Sequence, residues 1–402
     1  MSKYVILGNG IAGVSAARKI KEKDPGGRIE IVTRESYAFY SRPMLPRVIG
    51  GDAKEEQIIV YGADWFKKND ISMVLNEDVV EIDPGKMEAK CAGGKVLSGD
   101  RMLIAMGSYS FVPPIKGATM AGVFTLRWLD EALRIREYAR KSKTAVIVGA
   151  GVLGLEVAAA LTKYGVKVSV IEAAPRMLPR QLDPAGADIL KKQLEEKTGF
   201  KFYLDKQVAE IKGDGKASEV QLGGGESLPA DLVLISAGVR PNVAVASKAG
   251  LKVNKGIVVN DRMETNLKNV FAAGDVAEHN GILYGIIPAA QRQGEVAGIN
   301  MAGGSELYQG TTPSNSVNVL GISLVSSGEI DAESKQQSLV KEDKSKGSYR
   351  KLVLKDDTII GCVLLNDVRG SAELTQAISG KKNIGAYKEM LLDETFDYKR
   401  LA

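Results

Sequence analysis

The chain has 402 residues, 44% hydrophobic and 26% charged, a globular balance that excludes disordered and fibrous classes. Its 54 basic and 49 acidic side chains leave a net charge of +5, too small an excess to argue for nucleic acid but suited to an acidic partner. Two cysteines, Cys91 and Cys362, and one histidine, His279, rule out a disulfide framework, a four-cysteine metal site and two-histidine motifs, so no metal is expected.

In chain order, Met1-Ser2-Lys3 runs into the apolar stretch Tyr4–Leu7, which Gly8 breaks before it reaches the length of an export signal. No later apolar run reaches the length of a membrane span, so a soluble, cytoplasmic protein is expected. The stretch Val5-Ile6-Leu7-Gly8-Asn9-Gly10-Ile11-Ala12-Gly13 is followed by an Ala-rich helical pattern and a second strand over 28–33. The same unit returns as Val146-Ile147-Val148-Gly149-Ala150-Gly151-Val152-Leu153-Gly154, with its second strand over 166–172. Each copy is a G-x-G-x-x-G turn in the strand–turn–helix–strand context that dinucleotide binding requires.

The glycines have separable tasks. Gly8 and Gly149 permit the tight turn, Gly10 and Gly151 admit a pyrophosphate to the backbone N–H groups, and Gly13 and Gly154 let helix pack closely on strand. The residue closing the second strand separates the copies. Glu172 can accept both adenosine ribose hydroxyls and repel a 2′-phosphate, which predicts NADH over NADPH, with Arg176 and Arg180 near enough to soften the preference. In the first copy the position is Thr33, followed by Arg34 and Glu35, and Glu35 could serve the ribose from a displaced position.

Here the chain resembles the FAD- and NAD-dependent pyridine nucleotide oxidoreductase family. Leu103-Ile104-Ala105-Met106-Gly107-Ser108 is similar to the family's A-T-G-S strand end, with Met106 in place of Thr. Val270-Phe271-Ala272-Ala273-Gly274-Asp275 resembles its second FAD motif, and Ala237-Gly238-Val239-Arg240-Pro241-Asn242 its G-x-x-P-N turn. Relatives that reduce disulfides or peroxide carry a redox cysteine where this chain reads Ser41-Arg42-Pro43-Met44. The pattern Tyr40-Ser41-Arg42-Pro43-Met44-Leu45 is instead similar to rubredoxin reductases, ferredoxin reductases and the flavin region of NADH-dependent nitrite reductases. Cys91 and Cys362 are expected to be bystanders.

The resemblance implies FAD contacts at Gly8, Gly10, Ile11, Ala12, Gly13, Arg34, Glu35, Arg42, Arg47 (where a Lys is usual), Val79, Ala105, Gly107, Arg127, Gly274, Asp275 and Ile287. It implies NADH contacts at Gly149, Gly151, Val152, Leu153, Gly154, Glu156, Glu172, Ala237 and Gly238. Plainer readings stand beside several. Arg42 could be a solvated loop cation, Val79 a core residue, Glu156 a carboxylate favoured by the helix dipole and Asp275 a helix N-cap.

The expected fold class is α/β, with two Rossmann-like dinucleotide-binding domains and a small α+β C-terminal domain. The FAD domain is expected over 1–110 and 243–311, the NAD domain over 111–242, and the last domain over 312–402 with a helix carrying Leu374, Ile378 and Ile384. By resemblance the enzyme passes a hydride from NADH to FAD and then electrons to a small acidic carrier, rubredoxin before ferredoxin, as a monomer or homodimer. A peroxide-forming NADH oxidase and a flavin subunit of a larger complex, as in nitrite reductases, are the alternatives. With no protein nucleophile, chemistry rests on the cofactors.

Overall fold

The computed structural model describes residues 1–401. The chain divides into two compact units. The first contains Met1–Met44, Lys54–Tyr109 and Val239–Thr311; the second contains Leu45–Ala53, Ser110–Gly238 and the chain from Thr312 on.

The first unit is built on a five-stranded sheet in the order Val270–Ala272, Arg101–Ile104, Lys3–Leu7, Arg28–Val32, Ile71–Val74, every pair parallel. Near-continuous Val, Ile and Leu suit strands buried on both faces. The register sets Leu7 beside Val32 and Ile104, and Ile104 beside Ala272, so these strands end together. Open α/β sheets bind ligands outside such carboxyl ends. The helix Ile11–Lys23 lies against the helix Ile287–Met301, and glycine makes the approach possible. A Cβ on Gly294 would fall 2.2 Å from the Ala12 carbonyl oxygen, and one on Gly298 2.4 Å from that of Ala16.

The second unit repeats the plan. Its parallel sheet runs Val123–Phe124, Leu232–Ile235, Thr144–Val148, Lys167–Glu172, Lys201–Leu204. The chain from Thr312 adds an antiparallel sheet in the order Ser314–Val319, Ile322–Gly328, Thr358–Leu365, Ser348–Lys355, Gln337–Asp343. Leu352, Leu354, Cys362 and Leu364 of this sheet form a core with Leu374 and Ile378 of the helix Ser371–Ser379. That helix is shorter than expected and does not reach Ile384. Gly380 caps it, and Ile384 reaches the same core from the segment beyond. Gln193, on the helix Pro184–Thr198, donates to the Gly347 carbonyl at 2.7 Å and accepts from Asn366 at 2.9 Å, tying that helix to the antiparallel sheet.

The segment Leu45–Ala53 joins this second unit although the residues on both sides of it belong to the first. Leu45, Val48 and Ile49 are buried, and the Tyr164 hydroxyl donates to the Ile49 carbonyl at 2.7 Å. No helix among the described residues is long and apolar enough to cross a membrane.

Candidate functional site

In the first unit the turn after Leu7 is forced by crowding. Gly8 has φ +118°, and a Cβ there would meet the Ala105 carbonyl oxygen at 2.2 Å. The helix Ile11–Lys23 then begins at Gly10, where no side chain caps it. Its first N–H groups are free to meet an anion, at the positive end of the helix dipole.

Charged and polar groups converge on this turn. A Cβ on Gly10 would lie 3.4 Å from Arg42 Nη1, so the guanidinium borders the phosphate position. Arg42 pairs with the Glu35 carboxylate, which also accepts the Tyr40 hydroxyl. Arg42 is therefore no solvated loop cation. The Ser108 hydroxyl donates to Asp275 at 2.8 Å. The next helix begins only at Ile287, so Asp275 caps no helix. Ile287 is that helix's half-exposed first residue. Ala105 is buried, Gly107 takes φ +63°, Val79 is half-buried, and Arg34 faces Asp78 at 3.6 Å near solvent.

Three buried side chains in the same unit, Asn9, Gln293 and His279 at its Nδ1, have a polar atom with no protein partner, and the first two bear on the glycine turns. Asn9, inside the Gly-rich turn, leaves Oδ1 unmatched. Gln293 accepts from the Gly274 N–H through Oε1 at 2.9 Å and leaves Nε2 unmatched. Buried orphans of this kind call for a ligand or water. An uncapped helix start, a guanidinium beside it and two unmatched polar atoms fit a flavin dinucleotide. Sequence patterns did not mark Gln293, which stands in an ordinary helix; Asn9 was visible only as the middle letter of G-N-G. Arg47 and Arg127 fall in the second unit, Arg47 exposed on Leu45–Ile49.

The second fingerprint has the same build. Gly149 has φ +114°, a Cβ there would meet the Ser236 carbonyl at 2.3 Å, and the helix Val152–Thr162 starts uncapped at Gly151. Gly154 sits within the first turn of that helix, beside Val152 and Leu153. Ala237 and Gly238, with φ +94°, follow the strand Leu232–Ile235. Glu172 accepts from the Ala150 N–H at 2.8 Å and the Ala174 N–H at 2.9 Å. Each carboxylate oxygen keeps further lone-pair capacity, enough for a ribose diol. Arg176 spends its guanidinium on the carbonyls of Leu182 and Pro179, both at 3.1 Å, while Arg180 is exposed. Burial pushes the Glu156 carboxyl up to about 7.

Cys91 and Cys362 are buried and free, one in each unit, and burial pushes the Cys362 thiol up to about 12. His279 is buried, with Nε2 2.8 Å from the Asp261 carboxylate. No cluster able to hold a metal ion occurs among the described residues.

Two nucleotide-type sheets, each opened by a glycine turn and an uncapped helix, define a flavin- and pyridine-nucleotide-dependent oxidoreductase fold. The chain belongs to the pyridine nucleotide-disulphide oxidoreductase family, whose model matches residues 2–316. The rubredoxin NAD+ reductase C-terminal domain matches residues 313–382. The family's cofactors are FAD and NAD(P)H. The chain is 34% identical over 393 residues to the assimilatory nitrate reductase electron transfer subunit of Bacillus subtilis, covering 97% of this chain and 51% of that one. It thus spans about half the length of that relative. It is 32% identical to the NADH-rubredoxin oxidoreductase of Clostridium acetobutylicum, covering 95% of this chain and 96% of the relative. The crystal structure of NADH:rubredoxin oxidoreductase from Clostridium acetobutylicum superposes with a TM-score of 0.81 at 30% identity, covering 96% of both chains.

Proposed function

We propose that the chain is an NADH-dependent flavoprotein reductase whose electrons leave to a small acidic carrier protein, rubredoxin first. The observation that carries this reading is the rubredoxin-reductase type of the C-terminal domain, on a chain with no thiol in the 41–44 segment. Bound FAD supplies the chemistry, accepting the two electrons of a hydride and returning them singly.

The protein's own residues bind and orient. The helix starts at Gly10 and Gly151 hold one diphosphate each, and Arg42 offsets charge at the first. Asn9, Gln293 and Asp275 offer polar contacts to the flavin dinucleotide, and Glu172 takes the NADH adenosine ribose. The remaining fingerprint residues, with Ala105, Gly107, Val79, Arg34, Arg47, Arg127, Gly274, Ile287, Ala237 and Gly238, complete the two cofactor sets. A net charge of +5 favours encounter with an acidic carrier.

The test is anaerobic reduction by NADH followed by a panel of rubredoxin, ferredoxin, nitrite and O₂. Rubredoxin turnover should lead and should fall as ionic strength rises, since exposed charges are screened. Dominant reduction of O₂ to peroxide would sink the reading. A second reading, an electron-transfer subunit of a larger assembly, is favoured by the nitrate reductase relative of about twice the length. Co-purification of a stable, active complex would decide for it.

A further inference from the structure

The loop 173–183 follows Glu172 and is fixed at both ends. Leu178 is fully buried with φ 47°, a strained conformation for a residue with a side chain, which persists only where the surroundings over-determine it. Its N–H donates to the Ala150 carbonyl at 3.0 Å, inside the Gly149–Gly151 turn. Ala150 also gives its N–H to Glu172, so one residue of the turn is held by both the carboxylate and the loop.

At the far end stands Asp183, 5% exposed. Its Oδ1 caps the helix Pro184–Thr198 by accepting from the Gly186 N–H at 3.0 Å. Its Oδ2 accepts the Tyr349 hydroxyl at 2.7 Å and faces the Lys351 ammonium at 3.2 Å. Tyr349 and Lys351 are alternate residues of the strand Ser348–Lys355, so they share one face of the C-terminal sheet. Lys351 is 2% exposed and also donates to the Asp331 carbonyl at 2.7 Å.

A buried ion pair is a poor adhesive, because desolvation offsets most of its attraction; apolar packing would hold the two elements equally well. What such a cluster supplies is a unique position for the carboxylate at its centre. We infer that Tyr349 and Lys351 are positioning residues for NADH: through Asp183 they fix the 173–183 loop, and with it the Ala150–Glu172 pair at the adenosine ribose. The inference rests on the second fingerprint being the NADH site. It makes nucleotide affinity depend on a sheet that carries no fingerprint.

The test uses the full-length, FAD-loaded protein and three variants: Tyr349→Phe, Lys351→Met and Lys351→Arg. Calorimetry with ADP-ribose reads the loop directly, without turnover. Tyr349→Phe keeps the ring and deletes one hydroxyl, so it should fold. It should weaken ADP-ribose binding and raise KM for NADH about fivefold, with kcat at saturating NADH within about twofold and FAD content unchanged. Lys351→Met should do the same, and Lys351→Arg should recover part of the loss. Unchanged ADP-ribose affinity in folded Tyr349→Phe, even with a lowered Tm, would overturn the inference and leave the cluster a structural joint. If the unmutated protein bound no ADP-ribose, the site assignment itself would fall, and the inference with it.

Discussion

Gln293 accepts the Gly274 N–H with one end of its amide and buries the other end unmatched. An amide turned this way, bonded to the residue that precedes Asp275, has a donor to give a ligand. Gln293→Leu removes that donor and strands the Gly274 N–H. FAD should then bind about tenfold more weakly, about 1.4 kcal/mol. Fluorescence titration of the flavin-stripped protein measures this. An unchanged Kd would place the flavin elsewhere.

The adenosine end of the second site gives a donor preference. Glu172 is the proposed acceptor of the ribose hydroxyls, and Arg176 commits its Nε and one terminal nitrogen to two loop carbonyls and so is not set to meet a 2′-phosphate. NADH should exceed NADPH in kcat/KM by at least about tenfold, and Glu172→Ala should narrow the gap. Equal rates in the unmutated protein would point to Arg180.

The cysteines should be dispensable to electron flow. Replacing Cys91 and Cys362 together by Ala should leave NADH-to-acceptor turnover within about a factor of three. Reductive titration should take up two electrons per flavin with none consumed beforehand by a disulfide. Loss of most turnover with FAD retained would return the chain to the thiol-using branch of its family.

Glu156 makes stability depend on pH. Its carboxyl is raised from 4.5 to about 7 by burial, so the folded state holds a proton that the unfolded state releases. Below pH 4.5 both states are protonated and the group contributes nothing. Between there and about pH 7 stability falls as pH rises, by at most about 3 kcal/mol, and then levels off. Glu156→Gln should therefore melt higher than the parent at pH 8 and equal to it at pH 4.5. Parallel melting curves across that range would show the carboxyl to be solvated.

The two-sheet α/β plan is legible in the sequence because its determinants are local. Gly8 and Gly149 sit where backbone crowds the Ala105 and Ser236 carbonyls, and no other residue fits such a φ. Much of what surrounds those turns is not local. Gln293 arrives from a distant helix, Arg176 is spent on carbonyls that a motif does not display, and Asp183 meets Tyr349 and Lys351 across a long separation in the chain. The tail's helix is shorter than expected: Gly380 caps it, and Ile384 lies in the segment beyond.

The segment Leu45–Ala53, lodged in the second unit, bears on how the molecule can be dissected. A fragment beginning at Ser110 contains both of that unit's large sheets and still lacks nine residues that belong with it. The Tyr164 hydroxyl would lose the Ile49 carbonyl, Lys163 would lose Asp52, and the surface that covers Leu45, Val48 and Ile49 would open to water. The N-terminal coding region thus supplies a piece of the downstream body, and a fragment that starts at Ser110 should be less stable than one with that strip grafted back.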